Sequence, residues 1–308
     1  MTTQQAVNHE FSYTALTCGY PAVSHTTCNI VGLEVDVYGL DEIRSSPLPL
    51  GILIATHGRL GNKTNMASFA QGIIGCTAEI ASHGSQKRKR DLIVVSLDHR
   101  NHGKRESDPT ANLSFNKNPA HLTDMAALIV GAKQDVSFII DFIAAYLFPN
   151  GEKVVEEYMA TGISLGGHAT WLLLREDPRI QIGVPIIGLP FESYPRLMKA
   201  RAESLGLEFK APVYPPSLQT VLERPIPEGT YRGKKILTLH GRDDPLVPYA
   251  KGEAEIEYVQ ADAKAGDVDI WVQEWTGHVC TPEMVQKAAQ WIWKWGLSSG
   301  GEKNTSSI

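Results

Sequence analysis

The chain has 308 residues, 43% of them hydrophobic and 20% charged, and carries a net charge of −5. That balance excludes a chain too polar to fold, and it gives no general electrostatic pull toward nucleic acid or anionic membranes. No apolar run reaches the length needed to span a bilayer, and a chain of this size buries about three quarters of its unfolded surface, enough for a core without disulfide staples.

Residues 1–10 are polar and lack the basic and apolar pattern of a leader, which sets the expectation of a reduced, cytoplasmic setting. The four cysteines, Cys18, Cys28, Cys76 and Cys280, show no CxxC spacing, and a Cys18–Cys28 bridge is the alternative for an exported chain. Residues 26–38 alternate around Ile30, Leu33, Val35 and Val37, the pattern of an antiparallel strand or hairpin. Residues 50–55 form an apolar strand that ends in His57-Gly58-Arg59, and 64–82 a helix. The basic run Lys87-Arg88-Lys89-Arg90 resembles a nuclear-localisation patch, but its place directly before the buried strand 92–97 favours a solvated loop. Thr123 is a candidate N-cap for a long helix over 124–146. Strands follow at 158–163 and 182–187, with a helix at 167–176 between them. An insertion of about 45 residues comes next, long for a simple crossover. Strands at 235–240 and 269–274 and a helix from Pro282, bearing Trp291, Trp293 and Trp295, complete the order.

Gly162-Ile163-Ser164-Leu165-Gly166 is the most informative stretch. A serine between glycines at a strand-to-helix corner is held in a strained conformation with Oγ exposed, and the following helix aims its N-terminal N–H groups at the same place. Asp243 and Asp244 follow one later strand, and His278 follows another. Serine is a poor nucleophile at neutral pH. It needs a histidine to take its proton and a carboxylate to hold that histidine in the right tautomer.

The order Ser, Asp, His, each just past a strand, resembles that of the α/β-hydrolase superfamily. The resemblance extends to His57-Gly58-Arg59 and to Asp98-His99-Arg100-Asn101-His102-Gly103, where Asn101 stands at a position the family usually gives to glycine. It covers roughly residues 27–296. It implies an α/β fold: a mostly parallel, eight-stranded sheet with helices on both faces and a small cap insertion. It also implies Ser164 as nucleophile, His278 as general base, and Asp244 as the acid, with Asp243 the alternative and Glu192 a more remote one. The backbone N–H groups of Arg59 and Leu165 would form the oxyanion hole. The Arg59 guanidinium either binds a substrate carboxylate or points to solvent.

The expected organisation is a single domain over 1–296, with 189–232 as a cap or lid, and a disordered tail over 297–308. Phe191, Tyr194, Phe209 and Tyr214 in the cap suit an apolar pocket or plain core packing. His99 and His102 are spaced like metal ligands, with His83 and His121 as further candidates. No HExxH or Cys/His cluster appears, however, so neither metal nor cofactor is expected. The implied activity is cleavage of an ester, thioester or related acyl bond of a small-molecule substrate. Acyl transfer or lactone formation, peptide or amide cleavage, and a non-catalytic ligand-binding role are the alternatives. No nucleic-acid partner is expected, and oligomeric state and substrate identity are open.

Overall fold

The computed structural model describes residues 13–299. The strands are β1 (His25–Ile30), β2 (Leu33–Tyr38), β3 (Leu50–Thr56), β4 (Asp91–Leu97), β5 (Val155–Ile163), β6 (Ile180–Ile186), β7 (Lys235–Gly241) and β8 (Val268–Gln273). They form one eight-stranded sheet in the order β1-β2-β4-β3-β5-β6-β7-β8. β1 pairs antiparallel with β2, and β2 with β4; every other pairing is parallel. The hairpin read from residues 26–38 is therefore the antiparallel edge of a parallel sheet.

Every residue of β3 and β4 is buried, as a strand covered on both faces requires. The strand period of two divides β3 between the faces. Ile52 and Ile54 enter the core shared with α2 (His121–Leu147) and α3 (Leu165–Glu176). Leu53 and Ala55 enter the core shared with α1 (Met66–His83) and α7 (Pro282–Ile292). Two further helices, α4 (Tyr194–Ser204) and α5 (Pro216–Leu222), lie within the 189–232 insertion, and α6 (Glu253–Asp262) precedes β8. Phe191, Tyr194, Leu197 and Tyr214 join the α2/α3 core, so the insertion is packed onto the body. Phe209 stacks on Tyr214 with ring centroids 4.5 Å apart, which gives those rings a packing role.

Several local expectations are corrected. α2 begins at His121, ahead of Thr123, because Asn118 turns the chain into the helix. Its Oδ1 accepts from Ala120 N–H at 2.9 Å and its Nδ2 donates to Asp124 at 2.8 Å. The basic run is not simply solvated. Arg88 lies over the Trp293 ring at 5.8 Å, Lys89 N–H donates to Leu297 O at 2.7 Å, and Arg90 Nη1 donates to Gly296 O at 3.1 Å. Leu297 is buried in the core that α1 and α7 share, and Arg88 bridges to Ser298. The chain thus remains part of the folded body past 297, and the expectation of a disordered tail over 300–308 lies outside the described residues.

Candidate functional site

Ser164 sits between β5 and α3 with φ +58° and ψ −108°, a left-handed backbone that costs a non-glycine residue energy. Its flanking glycines make that corner possible. A Cβ on Gly162 would fall well inside contact distance of Thr56 Oγ1, and one on Gly166 would do the same to Thr56 O. Thr56, at the end of β3, holds the corner by donating to Thr161 O and Gly166 O at 3.3 Å. Ser164 N–H donates to Ile186 O at 2.9 Å, tying the corner to the next strand.

His278 Nε2 lies 2.8 Å from Ser164 Oγ, and His278 Nδ1 lies 2.7 Å from Asp244 Oδ2. An ionised carboxylate only accepts, so Nδ1 carries the proton and Nε2 faces the serine hydroxyl as an acceptor. Asp244 is buried in the loop after β7, and its Oδ1 accepts from Leu246 N–H and Val247 N–H, each at 2.8 Å. Burial pushes this carboxyl up. The hydrogen bond and charge of His278 and the two backbone donors outweigh burial, so the group titrates below its usual range. Asp243 is exposed, and its backbone N–H donates to Thr276 O at 2.9 Å. Glu192 is taken by Arg175, 2.7 Å away.

The loop after β3 comes down beside Ser164: a Cβ on Gly58 would lie 3.6 Å from Ser164 Cβ. Leu165 is the first residue of α3, where a backbone N–H has no intrahelical partner. Among the described residues, neither the Arg59 N–H nor the Leu165 N–H meets an acceptor. His57 locks the loop. Its Nδ1 donates to Gly58 O at 2.8 Å, its Nε2 accepts from His99 N–H at 3.1 Å, and His99 Nε2 donates to His57 O at 2.9 Å. Desolvation holds the His57 pKa down at about 4, so this network is neutral at physiological pH. His57, His99 and His102 pack ring against ring, with His57 and His99 centroids 4.4 Å apart. Asn101 adopts φ +56°, a conformation asparagine tolerates better than most side chains. Its side chain ties the loop to Asp108 and Asn112.

Solved structures of similar fold are known. No protein-family model matches the chain, and no curated protein matches it. TT1662 from Thermus thermophilus is similar at 22% identity and TM-score 0.63, over 89% of this chain and 98% of that one. An acylaminoacyl peptidase from Pyrococcus horikoshii is similar at 13% identity and TM-score 0.57, over 93% of this chain but 43% of that one. A cold-adapted esterase from an Arctic intertidal metagenomic library is similar at 14% identity and TM-score 0.51, over 88% of this chain and 92% of that one. The fold is that of the α/β-hydrolases.

On this α/β-hydrolase framework, the insertion brings in Arg201, which the sequence did not single out, and Tyr194, which it offered only as pocket lining or core. Arg201 on α4 donates to Leu246 O, beside Asp244. Tyr194, also on α4, meets the ring of His168 edge-on with centroids 5.2 Å apart, and His168 lies one turn into α3 from Ser164. The Arg59 side chain turns inward and donates to Asn112 O at 2.6 Å, rather than pointing to solvent. The unusual length of the insertion was the one signal available. Nothing local marks Arg201, and Tyr194 stood out only as one of the aromatics of the insertion. Among the described residues, no helix is long and apolar enough to cross a membrane.

Proposed function

We propose that the protein is a serine hydrolase that cleaves an ester, thioester or related acyl bond of a small organic substrate. The observation that carries this reading is the continuous hydrogen-bonded line from Asp244 through His278 to Ser164 Oγ. In the proposed reaction, Ser164 Oγ attacks the acyl carbon as His278 Nε2 takes its proton. The oxyanion is received by the N–H groups of Arg59 and Leu165, each such donor being worth about 3 kcal/mol in the transition state. His278 then protonates the leaving alcohol or thiol, and the acyl-enzyme forms on Ser164. Water enters, gives a proton to His278, and attacks the acyl carbon. Collapse releases the acid and returns the proton to Ser164. Asp244 stays ionised throughout and stabilises the imidazolium. The 189–232 insertion serves as the cap that shapes the acyl pocket.

Intact-mass analysis after treatment with a fluorophosphonate tests the reading. One adduct on the wild type and none on Ser164→Ala is the expected result. A folded wild-type protein that takes no label overturns it.

A further inference from the structure

We propose that Arg59, Arg201 and the Tyr194 hydroxyl form a subsite for an anionic group, a carboxylate or phosphate, carried by the acyl substrate. The proposal rests on the serine-hydrolase reading and names the class of substrate that site would take.

The first observation is what these arginines lack. Among the described residues no carboxylate lies within ion-pair distance of either one. Other arginines of the chain are paired: Arg175 with Glu192, Arg100 and Arg105 with Asp135, and Arg179 with Asp177. Arg59 and Arg201 instead each donate to one backbone carbonyl, Asn112 O and Leu246 O, and neither side chain is fully exposed. A guanidinium offers a fork of N–H donors suited to a carboxylate or phosphate, so most of that capacity is unused. Burial lowers the Arg59 pKa, and repulsion by Arg201 lowers it further; burial likewise lowers Arg201. Asp244 is the acid whose charge favours Arg201, but its oxygens already serve His278, Leu246 and Val247. Withdrawing like charges from water without a counter-charge is unfavourable, and a bound anion would reverse that.

A second, independent observation lies in the neutral groups around the pair. Tyr194 is fully buried at 0% exposure, and its hydroxyl has no hydrogen-bond partner among the described residues. It feels the charge of both Arg201 and Arg59. His121 Nε2 is also buried without a partner, and its pKa is held down at about 4, by desolvation first and then by Arg59 and Arg201. His121 therefore adds a neutral ring to the same cluster. A buried polar atom left unpaired costs free energy, so the orphaned hydroxyl marks a place where a ligand oxygen would be received.

Position gives the cluster its use. Arg59 follows Gly58, which abuts Ser164, and Arg201 reaches the loop that carries Asp244. An anion held here would fix one end of the substrate while the acyl carbon lies over Ser164 Oγ. That is orientation supplied by binding remote from the bond that breaks.

The test compares turnover of the 4-nitrophenyl monoester of glutaric acid, 4-nitrophenyl 4-phosphonobutanoate, and the neutral methyl 4-nitrophenyl glutarate. The wild type is expected to favour an anionic ester over the neutral one in kcat/KM by about 10- to 100-fold. Which anionic ester is preferred distinguishes carboxylate from phosphate chemistry. Arg59→Gln, which keeps its backbone N–H, and Arg201→Gln should each collapse the ratio. Tyr194→Phe should lower the ratio while leaving the melting temperature unchanged or raised, a combination that a purely structural tyrosine would not give. A wild-type ratio near one, or a ratio unchanged in all three variants, overturns the proposal.

A binding arm separates this failure from failure of the hydrolase reading. Calorimetry with Ser164→Ala, titrated with glutarate or inorganic phosphate at matched ionic strength, should show saturable binding. Adding Arg201→Gln or Tyr194→Phe should abolish or weaken it. No binding overturns the anion site even if esters are cleaved. Binding without fluorophosphonate labelling supports the anion site and overturns the hydrolase reading.

Discussion

Replacing Asp244 by asparagine should separate geometry from charge at the proposed active site. Asp244 Oδ1 accepts from Leu246 N–H and Val247 N–H at 2.8 Å, so the amide oxygen of the new side chain must stay on that side. The amide NH2 then takes the place of Oδ2, which lies 2.7 Å from His278 Nδ1. Donor would face donor, and the imidazole escapes by moving its proton to Nε2. That nitrogen then points an N–H at Ser164 Oγ and can no longer accept its proton. A tautomer fault of this kind costs roughly ten-thousand-fold in kcat, close to 5 kcal/mol of barrier. The fold should hardly notice, because both backbone donors keep their acceptor. Asp244→Ala is different. It strips the acceptor from the N–H of Val247, a residue 3% exposed, at a cost of about 1–3 kcal/mol in stability. Asp243→Asn should change neither quantity, since that residue is exposed. The assay is kcat on a 4-nitrophenyl ester beside thermal unfolding. Asp244→Asn within tenfold of wild type, or an equal loss in Asp243→Asn, would refute the reasoning.

The buried histidines make a prediction about pH. Desolvation first of all holds the pKa values of His57, His121 and His168 at about 4 and that of His240 at about 3, against an ordinary value of 6.5. The unfolded chain therefore binds more protons than the folded one between those limits, and stability should climb from about pH 4 to 6.5 and level above. Each histidine adds a slope of up to about 1.4 kcal/mol per pH unit, and urea unfolding across that range should show it; a flat profile would count against neutral burial. Gly166→Ala drives a Cβ into Thr56 O, so we expect a loss of about 1–3 kcal/mol in stability together with a drop in fluorophosphonate labelling rate. Labelling at the wild-type rate would show that the corner tolerates the shift. Thr281 caps α7 by accepting from Met284 N–H at 3.2 Å, and Thr281→Ala should cost about 1 kcal/mol by denaturant titration. An unchanged midpoint would show that the cap contributes nothing.

Much of this molecule is written locally. The apolar runs of β3 and β4, the alternation of β1 and β2, and the glycines around Ser164 each report a backbone preference or a burial period within a few residues. For that reason the strand and helix order, and the corner that carries Ser164, were readable from the chain alone. The preference for Asp244 over Asp243 rested on the family resemblance. Packing separates them: one side chain is buried 2.7 Å from His278 and the other faces water. Other features have no local signature at all. The start of α2 depends on the side chain of Asn118, and the backbone at Leu297 is tied to the basic run far upstream. The proposed subsite of Arg59, Arg201 and Tyr194 would join a loop after β3 to a helix inside the insertion. No periodicity links such distant segments. How the insertion packs on the sheet, and with it the reach of Arg201 to the loop that carries Asp244, was decided by the tertiary structure alone.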